Sequence, residues 1–220
     1  MTKILIVPDI HNKWFEAEQI IDMENADRVV FLGDYFDSFD DNAEIAYETA
    51  CWLKTSVETP NRIHLIGNHD LSYINQDYTC SGFTQNKLWA IKNAHIDFSK
   101  LRYYCLIDNW LCTHAGLTKG FFKAYAQYET QFIPEFLDYM IENYEYRLSD
   151  CTPYRGGNNA HAGILWCDYD EFEPIPNINQ IFGHTHGDIR FKDDNNICID
   201  TWLNYYAVYE DGVMTVVKNE

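Results

Sequence analysis

Apolar residues along this chain fall into short unbroken runs with helically spaced segments between them. Lys3–Val7, Arg28–Leu32 and Arg62–Ile66 are near-continuous apolar runs of strand length, each bounded by turn residues, as expected of strands covered on both faces. Between the first two, Lys13–Asn25 carries Trp14, Phe15, Ala17, Ile20, Ile21 and Met23 at a spacing closer to helical than alternating. Between the second and third, Asp41–Thr59 places Ile45, Ala46, Thr49, Ala50, Trp52 and Leu53 at helical spacing. Strand–helix–strand–helix–strand predicts parallel strands joined by right-handed crossovers.

The pattern then changes. Leu88, Trp89, Ile91 and Ala94 predict a short helix, and Leu101–Ile107 and Trp110–Thr113 flank Asp108-Asn109, a hairpin signal. Lys119–Tyr128 and Ile133–Tyr146 read as helices rich in Tyr and Phe. Their aromatic positions fit a core, although Tyr125, Tyr128, Tyr139, Tyr144 and Tyr146 also suit the wall of a pocket for a base or an aryl group. The chain closes with strand-like Gln180–Phe182, Asp188–Phe191, Ile197–Asp200, Tyr205–Tyr209 and Val213–Val217, the last two joined through Glu210-Asp211-Gly212.

Polar chemistry sits where the strand-like runs end. The first leads into Asp9-Ile10-His11, the second into Gly33-Asp34-Tyr35-Phe36-Asp37, and the third into Gly67-Asn68-His69-Asp70. Thr113-His114-Ala115-Gly116 and Gly183-His184-Thr185-His186 follow later. In open sheets with parallel strands, the working site lies beyond the carboxyl ends of the strands, so residues far apart in sequence are expected to meet. Carboxylates, imidazoles and one amide carbonyl suit borderline divalent metals such as manganese, iron or zinc. The set contains no cysteine, which argues against a closed structural zinc site. Taken singly, Asp9 reads as a helix N-cap, Gly33-Asp34 as a turn and His114 as a core histidine. Occurrence together, in this order, favours ligands. His64, His95 and His161 read as structural or solvated.

These residues resemble the calcineurin-like metallophosphoesterases, whose pattern is D-x-H, G-D-x-x-D, G-N-H-[DE], H, then G-H-x-H. The chain matches as Asp9-x-His11, Gly33-Asp34-x-x-Asp37, Gly67-Asn68-His69-Asp70, His114 and Gly183-His184-x-His186. The resemblance implies a four-layer α/β/β/α sandwich of two mixed sheets flanked by helices. It implies two divalent metal ions (Mn, Fe or Zn): Asp9, His11 and His186 on the first, Asn68, His114 and His184 on the second, Asp34 bridging both. A bridging hydroxide would attack phosphorus in line. His69 would protonate the leaving oxygen, with Asp37 or Asp70 orienting that imidazole. Asn68 would also face the substrate.

Within the family, three fragments look like the serine/threonine phosphoprotein phosphatases and the symmetrical dinucleoside tetraphosphatases: Gly33–Asp37, Leu165-Trp166-Cys167-Asp168 and Ile199-Asp200-Thr201. Two departures cut the other way. Ser38-Phe39 stand where those enzymes have Arg-Gly, and His186 is a second histidine that they usually lack. Arg155, before Gly156-Gly157, is a candidate replacement cation for substrate phosphate. The expectation is a two-metal hydrolase of phosphate esters, with a phosphoprotein or nucleotide among its possible substrates. The alternative is a phosphodiesterase or nuclease, and a non-catalytic scaffold ranks below both.

Composition narrows the partners. The net charge is −18, from 34 acidic and 16 basic residues, with no basic stripe to displace counterions from a long nucleic acid. Seven scattered cysteines without a C-x-x-C pair read as free thiols in a reducing compartment. With no membrane-length apolar run and no signal-peptide pattern, a cytoplasmic protein is expected. Residues 1–220 are expected to form a single domain, with 71–150 a helical and hairpin insertion that shapes the substrate site.

Overall fold

The computed structural model describes residues 2–126 and 133–219. The three N-terminal runs form β1 (Ile4–Val7), β2 (Arg28–Phe31) and β3 (Arg62–His64), parallel and adjacent. The C-terminal strands β9 (Tyr205–Glu210) and β10 (Val213–Lys218) add to the open side of β1, antiparallel, to complete a five-stranded sheet of order β10-β9-β1-β2-β3. Asp211 and Gly212 both take positive φ, 55° and 83°, in the two-residue turn between β9 and β10, as a twist-matched hairpin requires.

The second sheet has the order β4-β5-β6-β8-β7. Its strands are β4 (Tyr104–Ile107), β5 (Trp110–Thr113), β6 (Asn179–Phe182), β7 (Arg190–Asp193) and β8 (Asn196–Cys198). β5, β6 and β8 run parallel, while β4 and β7 are antiparallel to their neighbours. Both sheets are thus mixed. Residues 71–150 contribute β4 and β5 to this sheet, so they are built into the sandwich rather than appended to it.

Side-chain alternation along β1 divides the layers. Ile4 and Ile6 face the second sheet and pack with Cys105, Ile107, Cys112, Ile181 and Ile197. Leu5 and Val7 face the other way, into helices α1 (Trp14–Glu24), α2 (Ala43–Ser56) and α4 (Gln85–Ala94). On the far face of the second sheet, Leu111 packs with Phe121, Phe122, Phe136, Leu137 and Met140 from α5 (Lys119–Tyr125) and α6 (Ile133–Tyr144). The four-layer sandwich is therefore the observed architecture.

The structure adds one helix that periodicity did not announce, α3 (Asn68–Ile74). It starts directly on the Gly67–Asp70 fragment, where the Asp70 carboxylate reaches back to accept the Gly67 N–H at 2.8 Å. Asp9 is not the cap of α1: that position is Lys13, with no side-chain cap bond. The predicted helix 119–128 ends at Tyr125, and Tyr128 lies outside the described residues. Ile133–Tyr146 splits into α6 and a 3₁₀ turn, Glu145–Ser149.

His64 has the structural role expected of it. It is buried in β3, with its ring stacked on Phe31 at a centroid distance of 4.4 Å. Tyr35 spends its O–H on the Leu65 carbonyl, so His64 Nδ1–H donates to the Tyr35 oxygen at 3.0 Å. Nε2 faces Ser56 Oγ at 3.0 Å, and that oxygen already accepts from Arg62. Burial pulls the imidazole down to about 3, against ~6.5 when unfolded. Below pH ~6.5 the unfolded chain binds a proton that the folded chain refuses, so stability is lost as pH falls from ~6.5 toward 3. His64→Gln removes this titration. The stability advantage of wild type over the variant is expected to shrink by about 2 kcal/mol between pH 7 and pH 5, measured by urea unfolding. An advantage that stays constant over that range contradicts a neutral buried His64.

Candidate metal centre

The carboxyl ends of β1, β2 and β3 and the ends of β5 and β6 meet above the junction of the two sheets. Their loops hold strained backbone. His11, Asp34, Asp37 and His184 all lie in the left-handed region, with φ of 42°, 50°, 64° and 69°, a conformation that non-glycine residues keep when surrounding contacts over-determine it. Glycine is needed where the loops touch. A Cβ on Gly67 would lie 2.0 Å from Asp34 Oδ1, and one on Gly183 would lie 1.9 Å from Asp9 Oδ2.

Two groups of ligand-type atoms result, Asp9–His11–Asp34 and Asp34–His114–His184, with Asp34 common to both. Backbone carbonyls set the histidine tautomers. His114 Nδ1 donates to the Leu32 carbonyl at 3.0 Å and His11 Nδ1 to the Phe36 carbonyl at 3.0 Å. A carbonyl only accepts, so each neutral ring leaves the lone pair of Nε2 free to face the site. Those Nε2 atoms stand 3.5 Å and 3.8 Å from Asp34 Oδ2.

Asn68 and His184 complete the second group. Asn68 Oδ1 lies 2.9 Å from His114 Nε2 and 2.9 Å from His184 Nδ1, while the two imidazole nitrogens are 3.2 Å apart. Asn68 Nδ2 donates to Cys80 Sγ at 3.3 Å, which turns the amide oxygen inward. Lone-pair atoms packed this closely repel one another unless a proton or a cation lies among them.

The carboxylates tell the same story. Asp9, Asp34 and Asp200 are buried together. Burial, then Asp200 and Asp34, push the Asp9 carboxyl well above its usual range. Asp34 goes the other way: burial alone would raise it, but His114, His69, His11 and His184 outweigh burial and hold it below the usual carboxylate range. Buried charge of this density is stable only when paired or metal-bound. The donor set therefore fits two divalent cations sharing Asp34.

The remaining candidates separate. His69 is spare: its Nδ1 pairs with Asp37 Oδ2 at 3.0 Å. Burial works against the imidazolium, yet Asp34 and the Asp37 hydrogen bond push His69 up to about 11. Asp37 is itself anchored by Tyr73 Oη and Lys87 Nζ, each donating to Oδ1 at 2.5 Å. Asp70 does not contact the His69 ring. Its carboxylate accepts the backbone N–H groups of Asp34, Tyr35 and Gly67 at 2.8–2.9 Å, so it braces the loop that carries Asp34. His186 also stands outside both groups. Its Nε2 accepts from the Trp202 indole and its Nδ1 is 3.6 Å from Asp200.

Arg155 reaches the cavity over the ligands, held by Asp168 at 2.6 Å and donating to Thr185 Oγ1 at 3.2 Å. Asp168 belongs to the Leu-Trp-Cys-Asp stretch, so that fragment orients the candidate phosphate cation. Lys87 and Asp200 also stand at the site, without a local sequence signal for that role. Lys87 sits in an ordinary helical pattern beside Leu88 and Ile91, with no local sign that it is buried against Asp37 and Asp41. Asp200 lies in the Ile199-Asp200-Thr201 fragment, and only the connection after β8 brings it near Asp9.

The family model for calcineurin-like phosphoesterases matches residues 2–188. Among solved structures, a candidate diadenosine tetraphosphatase superposes with a TM-score of 0.56 at 18% identity, covering 100% of this chain and 94% of that one. A protein serine/threonine phosphatase from Saccharomyces cerevisiae, similar to human phosphatase PP5, superposes with a TM-score of 0.52 at 12% identity, covering 100% and 80%. At these identities the likeness is one of fold. No curated protein sequence matches the chain.

Proposed function

Since the chain belongs to the calcineurin-like phosphoesterases, and is thus a metal-dependent phosphoesterase, we propose that it hydrolyses compact phosphate esters at the centre built on Asp34. The observation that carries this reading is the spare His69–Asp37 pair standing beside two ligand groups that share one carboxylate. Asp9, His11 and Asp34 would hold one divalent ion, and Asp34, Asn68, His114 and His184 the other. Bound there, two such ions neutralise phosphoryl charge and lower the pKa of water.

The chain's own residues do the rest. With its Nδ1 turned to Asp37, the His69 ring lines the cavity and is placed to hold a proton for the leaving oxygen. Tyr73 and Lys87 fix Asp37, and through it the plane of the His69 ring. Arg155, restrained by Asp168, offers its guanidinium edge to non-bridging phosphoryl oxygens.

The diesterase alternative drew on His186 as a ligand, and that residue is turned toward Trp202 and Asp200. The charge of −18 with no basic stripe also disfavours long nucleic acid. Among the described residues no helix is long and apolar enough to cross a membrane. The test is kcat/KM for a phosphopeptide, a dinucleoside tetraphosphate and single-stranded DNA at one ionic strength, with manganese, iron and zinc in turn. One of the compact esters is expected to lead. A tenfold lead for DNA, about 1.4 kcal/mol in transition-state binding, hands the function to the diesterase reading.

A further inference from the structure

The cavity above the metal centre encloses about 900 Å³, at the upper end of the ~300–1,000 Å³ typical of small-molecule pockets. That leaves room for more than a phosphoryl group. Its wall beyond Ser38 is aromatic. Phe39 is 91% exposed and lies nearly parallel to Trp202, with ring centroids 5.8 Å apart and planes 27° from parallel.

Trp202 is tied to its neighbours on two sides. Its indole N–H donates to His186 Nε2, and Lys13 Nζ lies 5.2 Å from the ring centroid while donating to the Trp202 carbonyl at 3.3 Å. Trp202 and Leu203 occupy the left-handed region in succession, with φ of 58° and 63°. Consecutive non-glycine residues there are strained, because each Cβ crowds the following carbonyl oxygen. Such strain persists where a fixed side-chain position is over-determined by its surroundings. The aromatic wall thus has a fixed backing ring and a front ring left in water at the mouth of the site.

We propose that Phe39, backed by Trp202, is a binding subsite for a planar ring in the alcohol portion of the phosphate ester, a nucleobase or an aryl group. At 5.8 Å the two rings leave no slot between them, so the ligand ring stacks on the outer face of Phe39. The Asn42 and Asn86 amides and the Thr84 hydroxyl also line the cavity; Asn42 Oδ1 is engaged in capping α2, which leaves its amide N–H groups, with Asn86 and Thr84, for ring edges. The tyrosines of α5 and α6 do not line this cavity: Tyr125 and Tyr139 pack against the far core.

The subsite deepens the proposed function and rests on it. The experiment compares esters with the same kind of leaving alcohol, with and without the ring: adenosine 5′-monophosphate against ribose 5-phosphate, and benzyl phosphate against cyclohexylmethyl phosphate. Wild type is expected to favour the member with the planar ring in at least one pair by roughly 5–150-fold in kcat/KM, the usual worth of one stacked base. Preference in the first pair alone assigns a nucleobase, and preference in the second an aryl ring. Phe39→Ala is expected to bring that ratio toward one, and Phe39→Tyr to keep it. Equal rates within both wild-type pairs, or a ratio that survives Phe39→Ala, overturns the subsite while leaving ester hydrolysis intact. If no ester is hydrolysed, the proposed function fails, and calorimetric titration with adenosine and benzyl alcohol then judges the subsite: no binding, or binding unchanged in Phe39→Ala, rejects it.

Discussion

Asp34→Asn is expected to lower kcat/KM by at least about 10²-fold and to reduce the metal content of the purified protein below two ions per chain. Asp34 is the one residue shared by the two ligand groups, and its Oδ2 is the atom that both His11 and His114 face. Even partners one step behind a metal ligand cost about 10–100-fold on removal. Loss of a shared carboxylate removes a charge from both positions at once.

The substitution is mild for the fold. Asp34 Oδ1 accepts the His69 backbone N–H at 3.0 Å, and an asparagine carbonyl oxygen accepts the same bond. The left-handed backbone at position 34, φ 50°, is one that asparagine tolerates well. The melting temperature without metal is expected to fall modestly, because the histidines that hold Asp34 ionised lose their carboxylate partner. Elemental analysis at metal saturation, paired with a phosphate-release assay, makes the check. Wild-type activity in Asp34→Asn, or a single ion per wild-type chain, removes the case for a shared two-metal centre.

The legible part of the site was the part written next to strand ends. Asp9, His11, Asp34, Asn68, His69, His114 and His184 each follow an apolar run, and the parallel topology that such runs dictate brings them together. The layers were legible for the same reason: alternation along β1 sends Ile4 and Ile6 to one core and Leu5 and Val7 to another. What sequence left open was set by side-chain direction. Asp37 and Asp70 were equal candidates to orient His69. Backbone N–H groups of the β2 and β3 loops claim Asp70 and leave Asp37 for the ring. His186 reads like a ligand by spacing, yet the left-handed turn at Trp202 puts an indole donor against it. Lys87 carried no signal at all, since its burial depends on α4 packing against α2 and on the distant carboxylates of Asp37 and Asp41.

His69→Asn is expected to leave both metal positions filled and to cut kcat by roughly 10²–10⁴, the usual worth of a positioned proton donor. Metal retention follows from the contacts. The Asn68 amide, not the His69 ring, enters the ligand group, and the His69 backbone N–H that steadies Asp34 is unaffected by the side chain. The size of the loss follows from what the ring does. Its Nδ1 is committed to Asp37, whose carboxylate favours the protonated ring, and the ring lines the cavity that the leaving oxygen would enter. Asparagine has no proton to give at neutral pH.

The loss must then depend on how much the leaving group needs a proton. An alkoxide such as that of phosphoserine needs one, whereas an aryl oxide such as 4-nitrophenolate departs without help. Across a series of esters, the rate ratio of wild type to His69→Asn should rise with the pKa of the leaving alcohol. A disturbance of the metal positions would lower all rates alike, because phosphoryl charge is neutralised for every substrate. A ratio flat across the series would therefore move His69 from proton donor to a structural or phosphate-binding role, and the spare His69–Asp37 pair would no longer explain the chemistry.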